Sequence, residues 1–414
     1  MHFGIISPPV PGHIHPFGAL GRELIARGHR VSFIHVPDLA GRVQNEELEF
    51  IPIGASEYPS GSLAASLTEL GRRKGLAALK FTIHEVARTT DIMLRHAPDA
   101  IKAAGISMIL ADQTEPAAGT IAQRLNLPFV TICNALLLNR EPNVPPPFTG
   151  WRYHPSLWAR VRNDIGYFAS DRLTKPITEV VQTRRKAWGL PPHRTPEDSF
   201  SPLAQISQQP QLFDFPRQRL TDSFHYVGPL RRPKALRPEF PWERLDGSPL
   251  IYASLGTLQN SRPDIFQLFA EACQGTNSQL VIAHGGGLTR EQERQLPGNT
   301  VAISYAPQLD LLARAALTIT HAGLNTVLDS LTFGVPLIAI PITYEQPAIA
   351  RRIAFRSVGE TIPLPRLTPD VLRNKIRRLL ALDSPYRVNA ATMAEAIRAA
   401  GGVTRAAGII LAAS

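Results

Sequence analysis

Cysteine is nearly absent from this chain of 414 residues. The two that occur, Cys133 and Cys273, stand far apart and without Cys-x-x-Cys or Cys/His spacing, which argues against a disulfide framework and a zinc site and suits a reducing compartment. No apolar run approaches the ~18 residues that a membrane-spanning helix needs. The first residues, Met1-His2-Phe3-Gly4, lack the basic and long apolar regions of a secretory leader. The expectation is a cytoplasmic protein, with peripheral contact at a membrane left open.

Acidic residues are also in deficit. Asp+Glu 34 against Lys+Arg 44 leaves a formal charge of +10, which suits an anionic substrate, an anionic membrane surface or nucleic acid alike. The basic clusters Arg72-Arg73-Lys74, Arg184-Arg185-Lys186 and Arg231-Arg232 are short and scattered. None belongs to a nucleic-acid module, so no nucleic-acid partner is expected and the clusters read as solvated surface.

What is present suffices for two ordinary cores. With 44% hydrophobic and 19% charged residues, the length favours two domains. The first forty residues read as a βαβ unit: an apolar strand at 2–7, a Pro/Gly/His loop, an amphipathic helix at 17–27, Gly28, and a strand at 31–36. The pattern returns as strand 106–111, helix 116–125 and strand 128–132. It starts again after the proline-rich and charged stretch 229–248, with strands at 249–253, 279–283, 317–320 and 336–340 and helices at 263–273, 324–333 and 346–355. The expected fold is α/β: two Rossmann-like, doubly wound domains, 1–228 and 249–414, facing across a cleft, with the last helix a candidate to pack back on the first domain. Residues 134–200 are looser, and their aromatics, Trp151, Tyr153, Trp158, Tyr167 and Phe168, either line a pocket or cap the sheet.

The most informative stretch is 305–346. It reads as a strand, a turn with His321 and Gly323, and a helix opening at Asn325-Thr326. A helix N-terminus offers free N–H groups and partial positive charge, which suit a diphosphate; an ordinary capped helix beside a structural histidine is the competing reading.

The whole stretch resembles the signature box of the family 1, UDP-dependent glycosyltransferases, which have the GT-B fold. Tyr305-Ala306-Pro307-Gln308, His321-x-Gly323-x-Asn325-Thr326, Gly334-x-Pro336, Pro341 and Glu345-Gln346 fall in its order. The resemblance implies a nucleotide sugar as co-substrate and no cofactor. It gives donor binding to Tyr305 (on uracil), Gln308, His321, Gly323, Asn325 and Thr326 (diphosphate), Asp329 (ribose), and Glu345 and Gln346 (sugar). Tyr305 stands where the family has Trp, and Asp329 where it has Glu. Ser254-Leu255-Gly256-Thr257 is similar to a second turn of the family, which implies a diphosphate contact for Thr257.

Sugar transfer with inversion needs a base at the acceptor hydroxyl. His13, in the loop after the first strand, matches the family's base in Gly12-His13-x-x-Pro16; His15 fits on chemistry alone. Asp112, ending the strand 106–111, matches the carboxylate that partners it, with helix capping as its alternative role. No Asp-x-Asp anchor for a metal diphosphate occurs, so leaving-group charge is assigned to the helix at 325 and no metal is expected. His-Ala-Gly-Leu-Asn-Thr and Ile-Pro-Ile-Thr-Tyr-Glu-Gln-Pro look most like the bacterial zeaxanthin glucosyltransferases, which implies glucose from UDP-glucose and a small hydrophobic acceptor such as a carotenoid. Macrolide, phenolic and flavonoid acceptors, a UDP-N-acetylglucosamine 2-epimerase and a non-catalytic nucleotide-sugar-binding protein are the rivals.

Overall fold

The computed structural model describes residues 1–73, 75–232, 238–256, 260 and 262–414. Among these, two parallel sheets form the frame. The first holds β1 (His2–Ile6), β2 (Arg30–His35), β3 (Glu49–Pro52), β4 (Met108–Asp112), β5 (Phe129–Cys133), β6 (Gln205–Ser207) and β7 (Phe224–Tyr226), in the order β3-β2-β1-β4-β5-β6-β7. The second holds β8 (Leu250–Ser254), β9 (Gln279–Ala283), β10 (Thr300–Ile303), β11 (Ala315–Thr320), β12 (Leu337–Ala339) and β13 (Gly359–Thr361), in the order β10-β9-β8-β11-β12-β13. β1, β4, β5, β8 and β9 are buried along their whole length. Helices on both faces demand this, and it explains why these strands read as unbroken apolar runs. β6, β7 and β13 span three residues each, too short for a periodic signal.

Two differences from the sequence expectation bear on the site and its surroundings. The first helix begins at Pro11, so the loop expected before residue 17 is already helical and His13 lies in its first turn. Proline is well suited to this position, because its fixed φ is helical and the N–H it lacks would have no partner there. The region 134–200 contains a helix of 31 residues, Leu157–Ala187. Its buried residues are Ala159, Asn163, Gly166, Tyr167, Val181 and Arg185, largely small or polar, so no apolar stripe marks its inner face.

The sheets share packing. The helix Gly402–Ala412 sends Val403, Ala406, Ala407 and Ile410 into the cluster around Phe3, Phe17 and Phe33 of the first domain. Leu136 and Phe213 join Val327, Leu328, Ile349 and Ile397 of the second. Beside this seam Asp214 is buried with one oxygen on Arg352 (Nε 3.0 Å, Nη2 2.8 Å) and the other on Arg217 (2.6 Å) and the Tyr226 hydroxyl (2.9 Å). Burial opposes the charge of Asp214, but the two guanidinium groups prevail and hold its pKa well below the usual carboxylate range.

Candidate active site

In each sheet the strand order reverses at one point, and in such folds ligands collect beyond the carboxyl ends of the strands there. In the first sheet the reversal lies between β1 and β4. His13 follows β1 and Asp112 ends β4. His13 Nδ1 is 2.8 Å from Asp112 Oδ2, which leaves Nε2 as the ring nitrogen without a partner among the described residues. Oδ2 also accepts from Asn134 Nδ2 (2.9 Å) and Ser7 Oγ (3.1 Å), while Oδ1 accepts from the Thr114 amide and hydroxyl. One carboxylate thus shapes the turn with one oxygen and fixes the imidazole with the other. The helix that follows, Ala118–Leu125, has Ala117 and not Asp112 at its N-cap. His15 turns away, bonding Glu46 at 2.6 Å on the solvent side.

The electrostatics suit a proton acceptor. Burial lowers the pKa of His13, but the charge and hydrogen bond of Asp112 outweigh burial and the net shift is upward; Glu345 adds to it across the cleft. Asp112 is lowered in turn, since its attraction to His13 and the Thr114 bonds overcome its own burial. Such a pair can take a proton on Nε2 and stabilise the imidazolium that forms.

The second sheet reverses between β8 and β11, with Ser254 beside Thr320. After β11 come His321, Ala322 at φ 68°, and Gly323, the N-cap of the helix Leu324–Thr332. The left-handed conformation at Ala322 costs about 1–2 kcal/mol; strain of this kind gathers at functional turns. Two glycines make room for the His321 ring: a Cβ on Gly256 would lie 2.5 Å from its Cε1, and one on Gly323 would lie 2.5 Å from its Nε2. Burial lowers the His321 pKa to about 4, so it is neutral near pH 7. No side chain caps the helix, and the amides of Leu324, Asn325 and Thr326 have no acceptor among the described residues.

Several of the residues expected to bind the donor are already engaged by other protein groups, some of them in the first domain. Asn325 Nδ2 donates to Gly12 O (2.9 Å) and its Oδ1 accepts from Gln208 Nε2 (3.0 Å). Gly12 O is available because Pro16, four residues on, lacks the N–H that would take it within the helix. Asp329, 5% exposed, accepts from Arg231 Nε and, at 2.7 Å, from Gln308 Nε2. Glu345 accepts from the Leu136 amide (2.8 Å), and Gln346 Oε1 holds the amides of Ile342 and Thr343, both at 2.8 Å. Tyr305 stands 66% exposed, its ring open for stacking. Thr257 lies outside the described residues.

Sequence reasoning missed Arg231, Gln208, Asn134 and Ser7. Arg231, expected on solvated surface, instead reaches Asp329, Gln208 and the Asn325 carbonyl with its guanidinium. Arg185 departs from the same reading: it is 2% exposed and bonds Thr120 and Gln123. Position directly after β7 and Gly228-Pro229 was the available signal for Arg231. Of the aromatics, Tyr167 is buried with its hydroxyl on Val144 O, Tyr153 stacks on Phe215, and Trp158 and Phe168 face solvent.

Two facing, doubly wound domains with a His–Asp pair at one reversal point and an open helix N-terminus at the other define a glycosyltransferase of the GT-B architecture. The chain belongs to the UDP-glucoronosyl and UDP-glucosyl transferase family, which matches residues 82–398. The N-terminal domain of glycosyltransferase family 28 also matches, over residues 11–111. Among curated relatives, the zeaxanthin glucosyltransferase of Pantoea ananas is 37% identical over 99% of this chain and 95% of its own length. That of Pseudescherichia vulneris is 35% identical over 99% and 97%. A crystal structure of the calicheamicin glycosyltransferase CalG4 matches with a TM-score of 0.76 and 24% identity, covering 100% of this chain and 97% of that one. The chain is thus a UDP-dependent glycosyltransferase, and its partners include a nucleotide sugar and an acceptor.

Proposed function

We propose that this enzyme transfers glucose from UDP-glucose, with inversion, to a hydroxyl of a carotenoid such as zeaxanthin or a similar lipophilic alcohol, acting in the cytoplasm with peripheral contact at a membrane. The observation that carries the chemistry is the His13–Asp112 pair, 2.8 Å apart, on the domain opposite the helix Leu324–Thr332. His13 Nε2 takes the acceptor proton as the hydroxyl oxygen bonds to the anomeric carbon, and the sugar–phosphate bond breaks with its electrons leaving on UDP. The free amides at 324–326, with His321, Asn325, Thr326 and Thr257, meet the diphosphate charge. Tyr305 stacks on the base, Gln308 lies beside it, Asp329 binds the ribose, and Glu345 and Gln346 hold the sugar. The two zeaxanthin glucosyltransferases, similar over nearly the full chain, support the acceptor class.

The test is UDP release from a panel of nucleotide sugars, with zeaxanthin and with soluble phenols, in EDTA. Release stimulated by zeaxanthin with UDP-glucose is expected. Release with phenols alone would retain the enzyme and discard the carotenoid, and loss of turnover in EDTA would overturn the metal-free mechanism. Gln346→Ala should alter the relative rates of different UDP-sugars more than UDP affinity. If every donor's rate were unchanged, Gln346 would not hold the sugar.

A further inference from the structure

The helix Leu157–Ala187 is inside out along its first three turns. Its packed side is Ala159, Asn163, Gly166 and Tyr167. On the opposite side Leu157 (77% exposed), Trp158 (72%), Val161 (52%), Ile165 (61%) and Phe168 (60%) stand in solvent. At about 100° per residue these five fall within an arc of roughly 100°, centred opposite the packed side. An apolar stripe of this width normally faces a core.

Charge says what covers it. Arg160, Arg162, Arg172 and Lys175 border or interrupt the stripe, against Asp164, Asp171 and Glu179; Asp171 is engaged by Arg140, and Glu179 lies 3.3 Å from Lys175. The Arg172 guanidinium lies 5.0 Å from the centre of the Phe168 ring, so cation and aromatic share one surface. The stripe is the solvent-facing side of a single helix. Tryptophan, phenylalanine and aliphatics with a basic border are the composition of helices that lie in the headgroup region of anionic bilayers.

The chain links the helix to the site. From Asn134, bonded to Asp112, the chain passes Leu136, whose amide binds Glu345. It then runs to Gly150, whose carbonyl accepts from Arg351 Nε at 2.6 Å, and to Ser156, which caps the helix. We infer that the outward face of this helix, from Leu157 to Phe168, docks the enzyme on an anionic phospholipid bilayer and sets the acceptor side of the cleft beside the lipid in which the acceptor is dissolved. The inference takes its purpose from the lipophilic-acceptor reading; the docking itself rests on the helix.

The test uses the full chain and vesicles of equimolar phosphatidylglycerol and phosphatidylcholine. The wild type should float with these vesicles, less so in high salt, and not with phosphatidylcholine alone. Trp158→Ser with Phe168→Ser should reduce flotation at least about tenfold. The denaturant midpoint, as the fold control, should stay at the wild-type value. Flotation of the double variant equal to the wild type, or no flotation of the wild type, would overturn the inference. So would a wild-type dimer, seen by sedimentation, that the double variant turns into a monomer. Flotation is read without any acceptor, so failure of zeaxanthin as a substrate leaves the docking result standing on its own.

Discussion

Replacing His13 by alanine should lower turnover by about 10²–10⁴-fold or more while leaving UDP affinity nearly unchanged, because in the proposed mechanism the imidazole serves the acceptor and not the nucleotide. The pH profile is the finer probe. A base must be neutral to act, and in the free enzyme the Asp112 charge and hydrogen bond, outweighing burial, hold the His13 pKa above 6.5. The acid limb of kcat/KM should therefore rise with pH through a pKa above the ordinary histidine value. Asp112→Asn removes the charge that raises it, so the limb should move to lower pH, with a fall in kcat of up to about 10⁴-fold as the ring loses its tautomer and orientation. A limb that stayed in place, or a His13→Ala variant that no longer bound UDP, would refute the assignment.

The second large effect concerns stability. Asp214→Ala should cost about 3–5 kcal/mol, read as a lower denaturant midpoint. The reason is what remains: the Arg217 and Arg352 side chains, 3% and 1% exposed, would be buried without a counter-charge. The sign with pH follows from the lowered pKa of Asp214. Its contribution is present above the unfolded carboxyl value of about 3.9 and is lost as pH falls through the folded one. The wild type should thus weaken below about pH 4, and the variant should show a shallower acid limb. A loss under about 1 kcal/mol with an unchanged limb would mean that solvent reaches the cluster.

The central strands and the helices beside them were legible because burial on both faces writes itself as apolar runs bounded by Gly and Pro. The strands β3, β6, β7, β10 and β13 were not, since three or four residues carry no period, whereas the three-residue β12 sits within a longer apolar run, Val335 to Ile340. The long helix Leu157–Ala187 escaped for the opposite reason: Asn163 and Gly166 face inward while Trp158 and Ile165 face out, which inverts the pattern that reveals a packed helix. At the site, Asp112, His321 and Gly323 announced themselves by sitting at strand ends. Arg231 and Gln208 did not, because their contacts join residues about a hundred positions apart and depend on how the domains meet.

That meeting has a thermodynamic consequence. Asn325 and Asp329 already have partners, in Gly12, Gln208 and Arg231. A ligand claiming either residue must trade places with those groups, so its affinity measures the difference between two satisfied states. Because the two compete for one carboxylate, whatever loosens Arg231 from Asp329 tightens the competing ligand, by at most the same factor. The Arg231–Asp329 salt bridge is therefore a dial on the dissociation constant of any ligand that claims the same carboxylate.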